Sequence, residues 1–261
     1  MHPALWVSKT GLDAQQTNLS IVSNNLANVK TTGFKRDRAV FQSLLYQNIR
    51  QAGGQTSQDT RHPSGYMIGT GVKAVATQKI HTGGNILQTN NTLDIAIEGR
   101  GFFQITQNDG SIAYTRDGTF QLDDEGNIVT SNGQQLSPSI TVPTGTLSIT
   151  IGDDGTVSAQ VAGAAAPTQI GNITLADFVN ATGLQPAGQN LFLETASSGA
   201  PTTGTPTQNG LGRVTQGSLE SSNVNVVEEL VNMIEIQRGY EMNSKAIGTS
   251  DEMLQFVNQT L

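Results

Sequence analysis

The chain has 261 residues, 36% hydrophobic and only 13% charged, with a formal net charge of −7. That length supports a real hydrophobic core, and the acidic balance argues against a general nucleic-acid binder, which would be basic. Cysteine is absent, which excludes disulfides, thiolate nucleophiles and Cys-ligated zinc.

The first element is a helix. Leu5, Leu12, Leu19 and Leu26 recur every seventh residue, with Ser8, Gln15, Val22 and Val29 as the second seam. Pro3 suits a first helical turn and Gly33 supplies a stop. No apolar run here or elsewhere approaches the roughly 20 residues of a membrane span, so no membrane insertion is expected. MHPALWVSKTGLDAQQ lacks a charged region followed by an apolar one, so a Sec-type signal peptide is not expected either.

Residues 47–71 are rich in Gln, Gly and Thr with little periodicity, and read as a connector. The middle of the chain then alternates in twos. LDIAIEG (93–99), GFFQITQ (101–107), SIAYT (111–115), LSITI (147–151) and TVSAQV (156–161) read as strands. Asn108-Asp109-Gly110, Glu125-Gly126-Asn127, Asn132-Gly133 and Asp153-Asp154-Gly155 read as the turns between them. No crossover helices are evident, which makes a parallel sheet unfavourable and a β-meander or small barrel the expectation. DFVNATG (177–183) suggests one helical turn, and residues 196–212 a second connector.

The last element is again a helix. Val226, Met233, Tyr240, Ile247, Leu254 and Leu261 recur by sevens beside a weaker seam of Leu230, Gln237, Ser244, Asp251 and Asn258, with Ser222 or Asn223 as the expected cap. Val227, Val231, Ile234 and Ile236 add apolar surface that a lone helix pair would not cover. Charge supports pairing of the two ends. Lys9, Lys30, Lys35, Arg36, Arg38 and Arg50 against Asp13 and Asp37 give residues 1–50 a net +4. Seven acidic residues against Arg238 and Lys245 give residues 220–261 a net −5. Opposite signs attract, within one chain or between copies.

These patterns predict an α+β fold. Residues 1–35 and 221–261 form a discontinuous domain in which the N- and C-terminal helices pair as a coiled coil. Residues 36–85 and 205–220 form an extended or β connecting region, and residues 86–204 an inserted antiparallel all-β domain. The apolar stripes, Leu5, Leu12, Leu19, Val22, Leu26, Val226, Leu230, Met233, Tyr240, Ile247 and Leu254, are the candidate subunit interface.

Little suggests catalysis. Asp123-Asp124-Glu125-Gly126-Asn127 lacks calcium-loop spacing and reads as a solvated turn. His2, His62 and His81 are scattered, and no nucleophile elbow, phosphate loop or zinc motif occurs. Lys35-Arg36-Asp37-Arg38 reads as a solvated or inter-subunit ion-pair face, and Trp6 as packing within a helical assembly. No catalytic residue, metal ligand, cofactor or nucleic-acid partner is assigned.

NNLANVKTTGFKR resembles the N-terminal signature of flagellar rod and hook proteins. Asn25, Leu26, Ala27, Asn28, Thr31, Gly33, Phe34 and Lys35 occupy its positions. SSNVNVVEELVNMIEIQRGYEMNSKAIGTSDEML is similar to the family's closing helix, and AIEGRGFFQITQNDGSIAYTRDGTFQLDDEGNIVTSNGQQL to its shared β segment. The likeness is strongest to the distal-rod branch, with a proximal rod or hook subunit as the alternative. It implies a rigid helical tube of many copies in the flagellar basal body, crossing the periplasm and meeting other rod and hook subunits and the surrounding rings. It also implies delivery by the flagellar type III export apparatus, and a rod-type insertion at 47–72 that contributes stiffness. An isolated helix is marginal in water, so both terminal helices are expected to be largely disordered in the monomer and to fold on assembly. The rival from another class is a cell-wall carbohydrate-binding or hydrolytic protein, which needs a placed carboxylate pair or an aromatic platform. A trimeric adhesin stalk is a third reading.

Overall fold

The structure, a computed structural model, describes residues 3–53, 63–164 and 166–260, with the side chains of residues 257, 258 and 260 left aside. His2, His62, Leu261 and the 54–62 part of the expected connector lie outside the described residues, as does the Asn258 side chain. Two helices and a large antiparallel β region make the fold α+β. The chain divides into two compact units. One comprises Met1–Ala27, Asp37–Gln78 and Asn225–Leu261; the other comprises Asn28–Arg36 and Lys79–Val224.

The first unit is built on α1 (Pro3–Ala27) and α2 (Val226–Thr260). Within α1, the Thr10, Thr17 and Ser20 hydroxyls donate to the carbonyls of Val7, Asp13 and Gln16, so each is satisfied within its own helix by sharing a ladder acceptor. Glu228 and Glu229 lie in the first turn of α2, where the helix dipole favours negative charge. The cap is Asn225, whose Oδ1 accepts from the Val227 N–H at 3.1 Å. The expected cap Asn223 is engaged in the other unit, and Ser222 Oγ accepts from the Val224 N–H before the helix begins.

The helices pack antiparallel. A Cβ on Gly11 would come 3.0 Å from Asn243, one on Gly239 would come 3.0 Å from Gln15, and Asn25 meets Glu229. Gly11 and Gly239 therefore mark close approach, which offsets their intrinsic cost of about 1 kcal/mol each, whereas a Cβ on Gly248 would meet nothing within 4 Å. Among the described residues, Val22 and Ile236 are the buried apolar residues of the pair. Strand Asp37–Ser43 pairs with Val72–Lys79. Gln47–Arg50 pairs antiparallel with Tyr66–Ile68, so the ends of the supposed connector 47–71 form a ladder. Alternation was hidden there because all four residues of Gln47–Arg50 are exposed, so neither face selects apolar side chains.

In the second unit the main sheet runs Gln185–Gly188, Leu191–Leu193, Ile112–Thr115, Phe102–Thr106, Gln135–Ser137, Ile128–Thr130, Phe120–Leu122. This is not a sequential meander: Phe102–Thr106 lies between its hairpin partner and a strand some thirty positions on. Leu175–Asp177 pairs with Phe102–Thr106 and with Thr202–Gly204, so the second supposed connector contributes a strand. Thr146–Ile151, Thr156–Val161 and Thr168–Asn172 form a smaller antiparallel sheet. The expected turns close as read: Gly110, Gly126, Gly133 and Gly155 all take positive φ. The helical turn at 177–183 is a short 3-10 segment, Ala181–Gly183.

Phe102 and Phe103 point to opposite faces of their strand, as adjacent strand residues must. Phe103 joins the main core with Ile105, Phe120, Ile128, Leu136 and Val157. Phe102 joins a second cluster with Tyr114, Phe178, Leu184 and Phe192. The sheet is buried on both sides, so its strands carry apolar residues beyond simple alternation.

Candidate assembly surface and its anchoring turn

The signature residues fall in both units, and each has a local task. In the helical unit, Asn25 is buried near the end of α1. Its Oδ1 accepts from the Asp37 N–H at 2.8 Å and its Nδ2 donates to the Asp37 carbonyl at 2.9 Å. The carboxamide thus stands in for a strand neighbour at the start of Asp37–Ser43. Nδ2 also donates to Glu229 Oε1 of α2 at 3.4 Å. Ala27, exposed, is the last residue of α1.

In the β unit, Asn28–Arg36 is a compact turn. The Thr31 N–H and hydroxyl donate to the Asn28 carbonyl and Oδ1, each at 3.1 Å. The Thr32 hydroxyl donates to Asp117 Oδ1 at 2.9 Å. Gly33 has φ +67, its N–H donates to the Glu220 carbonyl at 2.8 Å, and a Cβ there would lie 2.6 Å from the Arg116 and Asp117 backbone. Only glycine meets both demands. Phe34 receives Lys79 Nζ 5.1 Å from its ring centre. Asn223 closes the arrangement: its Oδ1 accepts from the Arg36 N–H and its Nδ2 donates to the Ile80 carbonyl, each at 2.8 Å.

Lys35, near the end of the turn, is fully buried, which corrects the reading of 35–38 as a solvated or inter-subunit face for this residue; Arg38 is exposed. Its Nζ donates to Glu220 Oε1 at 2.6 Å and to the Thr82 carbonyl at 2.9 Å. Glu220 Oε1 also accepts from the Gly84 N–H, and Oε2 from Arg116 Nη1 at 3.2 Å. Arg116 donates further to the Ile97 and Gly99 carbonyls and lies over the Phe102 ring. Burial pushes the Lys35 and Arg116 pKa values down, and Glu220 opposes this for both. Two cations share one carboxylate inside the protein, with carbonyl oxygens supplying further contacts and Arg116 Nε left without a hydrogen bond.

His81 packs edge-on to Phe102 and Phe192 beside this cluster. Burial, reinforced by Lys35, Arg116 and Lys79, lowers its pKa to about 4, so it is neutral at pH 7. Arg116, Glu220 and His81 have no local sequence signal for their roles. Glu220 sits among the acidic residues of the C-terminal region, and only three-dimensional pairing distinguishes it.

The candidate interface residues are spread over the helix pair. Leu5, Leu12, Leu19, Leu26, Met233 and Ile247 are half-buried; Val226, Leu230, Tyr240 and Leu254 are exposed; Val22 is buried. The face of α2 nearest α1 carries Glu229, Ile236, Gly239 and Asn243, a more polar and smaller set than the heptad stripe. Val227, Val231, Ile234, Met242 and Met253 are each half or more exposed. Trp6 is exposed, with Lys9 Nζ 5.7 Å from its ring centre. Asp123–Glu125 is an exposed turn, and among the described residues no group of three or more His, Asp or Glu is placed to hold a metal. No helix of the described residues is long and apolar enough to cross a membrane.

A long, apolar-studded helix pair and an antiparallel β unit, with the buried charges Lys35, Arg116 and Glu220 paired to one another, describe a structural subunit. Three family models match in order: the flagella basal body rod protein over residues 5–35, the flagellar hook protein FlgE/F/G D1 domain over 96–159, and the flagellar basal body rod FlgEFG protein C-terminal region over 215–260. The chain is 54% identical to the flagellar basal-body rod protein FlgG of Buchnera aphidicola subsp. Schizaphis graminum, covering 99% of this chain and 100% of that protein. It is 48% identical to FlgG of Agrobacterium fabrum, over 99% of each chain. Within one organism, Caulobacter vibrioides, it is 46% identical to FlgG and 35% identical to FlgF, which separates the two rod branches. The chain belongs to the flagellar basal-body rod protein family, on the FlgG side, and is a structural protein rather than an enzyme.

Proposed function

We propose that many copies of this chain build a rigid helical tube, the distal part of the flagellar rod, that transmits torque from motor to hook. The observation that carries this is the unmatched apolar surface of α2. Val227, Val231, Ile234 and Met242 face solvent in the single chain, more apolar helix surface than one α1 covers, and neighbouring copies would bury it. At ~1.5–3 kcal/mol per fully buried side chain, that surface supplies a strong drive to assemble.

In the tube, residues 1–35 and 221–261 form the assembly layer, residues 36–85 and 205–220 the connection, and residues 86–204 the outer part. The coiled-coil seams of Leu5, Leu12, Leu19, Val22 and Leu26 and of Val226, Leu230, Met233, Tyr240, Ile247 and Leu254 are completed between copies. Before assembly both helices are largely disordered, which keeps the chain exportable by the flagellar type III apparatus without a cleaved signal peptide. Other rod and hook subunits abut the tube, and the basal-body rings surround it where it crosses the periplasm.

Electron microscopy of isolated basal bodies tests the reading. Full-length protein supplied to a flagellated host lacking its own copy restores a complete rod, and protein lacking residues 1–27 and 225–261 does not. Rods of normal length from the shortened chain would refute assembly through the ends.

A further inference from the structure

Charge is unevenly spread along the chain. Between Arg116 and Arg213 there is no lysine, arginine or histidine, yet there are eight Asp and Glu residues. Three of these, Asp123, Asp124 and Glu125, share one exposed turn, which follows Leu122, itself 41% exposed. The Asp123 N–H donates to the Asn127 carbonyl at 3.0 Å and the Gly126 N–H to the Asp123 carbonyl at 2.9 Å, so the backbone closes tightly beneath three carboxylates. A hydrogen bond with Asp123, and repulsion from it, push the Asp124 carboxyl up from the usual carboxylate range. Among the described residues no lysine or arginine forms an ion pair with this turn. Its own like charges oppose one another, and a cationic surface would relieve them.

The helical unit carries such a surface. A groove of about 290 Å³ lies between α1 and the strand pair, lined by Trp6, Lys9, Asp13, Leu44, Val72 and Lys73 among others. Its apolar surface comes from Trp6, Leu44 and Val72, and Lys9 and Lys73 outnumber Asp13. Both lysines are exposed, and among the described residues neither forms an ion pair. The groove thus offers an aromatic and aliphatic floor with a net positive edge. That is complementary to a turn presenting one leucine and three carboxylates: Leu122 suits the floor and the acidic groups suit the lysines. Exposed charges set the orientation of such a contact more than its strength.

We propose that the groove formed by α1 and strands Asp37–Ser43 and Val72–Lys79 receives the Leu122–Glu125 turn of a second copy. This rests on the rod-subunit reading and adds the residues through which neighbouring copies engage. Turn and groove are different patches, so the contact is heterologous. A joined pair keeps one vacant groove and one free turn for further copies, instead of closing into a two-fold dimer.

The cysteine-free sequence gives a clean test. Two single-cysteine variants, Ala74→Cys in the groove and Leu122→Cys on the turn, keep every charge in place. They are expressed together in a flagellated host lacking its own copy, and isolated basal bodies are oxidised. The expected result is a disulfide-linked dimer of the two variants from the mixed sample and none from either alone. Rods that contain both variants without a mixed dimer overturn the docking while leaving the rod assignment intact. A link from the Ala74→Cys variant to a different basal-body chain does the same. If either cysteine variant stays out of rods, an exchange of charge decides. Lys73→Glu and Asp124→Lys are each expected to lower the yield of complete rods, and one chain carrying both to restore it. Undiminished yield from either single variant, or no recovery from the pair, overturns the docking. Absence of the unmodified chain from basal bodies overturns the rod assignment, and the docking with it.

Discussion

Glu220 holds two cations at once, Lys35 through Oε1 and Arg116 through Oε2, and its removal leaves both buried without a counter-charge. Glu220→Gln is expected to cost ~3–5 kcal/mol, the penalty for breaking a buried pair from one side, read as a lower denaturant midpoint of the β unit. Replacing Lys35 by Met is expected to cost less, because Arg116 remains to pair the carboxylate. His81 adds a pH dependence whose sign is fixed. Its pKa falls from 6.5 to about 4 on folding, so between those values the unfolded chain binds more protons. Stability is therefore undiminished above pH 6.5, declines as pH falls towards 4, and loses up to ~3 kcal/mol from this group. Thermal melts of the wild type and His81→Gln across that window should show a steeper acid decline in the wild type. Equal slopes would remove His81 as the cause.

The turn Asn28–Arg36 shows what sequence pattern conveys and what it hides. Gly33 was legible as a stop, since glycine past an apolar helical stripe is a standard terminator. Its second demand, contact with the Arg116–Asp117 backbone, was not, because nothing local points to a partner some eighty residues away. The two demands separate experimentally. Gly133 also has positive φ, +78, but a Cβ there meets nothing within 4 Å. Gly133→Ala should cost only the left-handed strain of about 1 kcal/mol, and Gly33→Ala clearly more; equal midpoints would mean the Arg116–Asp117 contact yields freely. Elsewhere, Asp-Gly and Asn-Gly pairs marked the turns correctly because the chemistry that selects them is local. The strands Gln47–Arg50 and Thr202–Gly204 lay in segments read as connectors within β-containing regions and were not singled out, because neither buries an apolar face. Lys35 was misread because charge composition says nothing of the direction in which a side chain points.

At the scale of the whole molecule, the heptad stripes do not tell which residues meet within one chain. The intrachain face of α2 uses Gly239 and Asn243, and much of the apolar stripe is left outward. This asymmetry makes assembly and monomer stability separable. Val231→Asp, on the exposed side, should abolish rod formation and leave the denaturant midpoint of the β unit unchanged. Leu19→Asp, half-buried in α1, should also block rods with the β unit still folded. Rods of normal appearance from both variants would show that these stripes are not interfaces.

The buried Lys35–Glu220–Arg116 cluster carries one more consequence. Glu220 stands 185 positions from Lys35 and 104 from Arg116. A chain that ends short of residue 220 therefore encloses two cations with nothing to neutralise them. Truncated products are denied the closed β unit by the same contact that secures it in complete ones, so completeness of the polypeptide is checked by charge before any surface is offered to another copy.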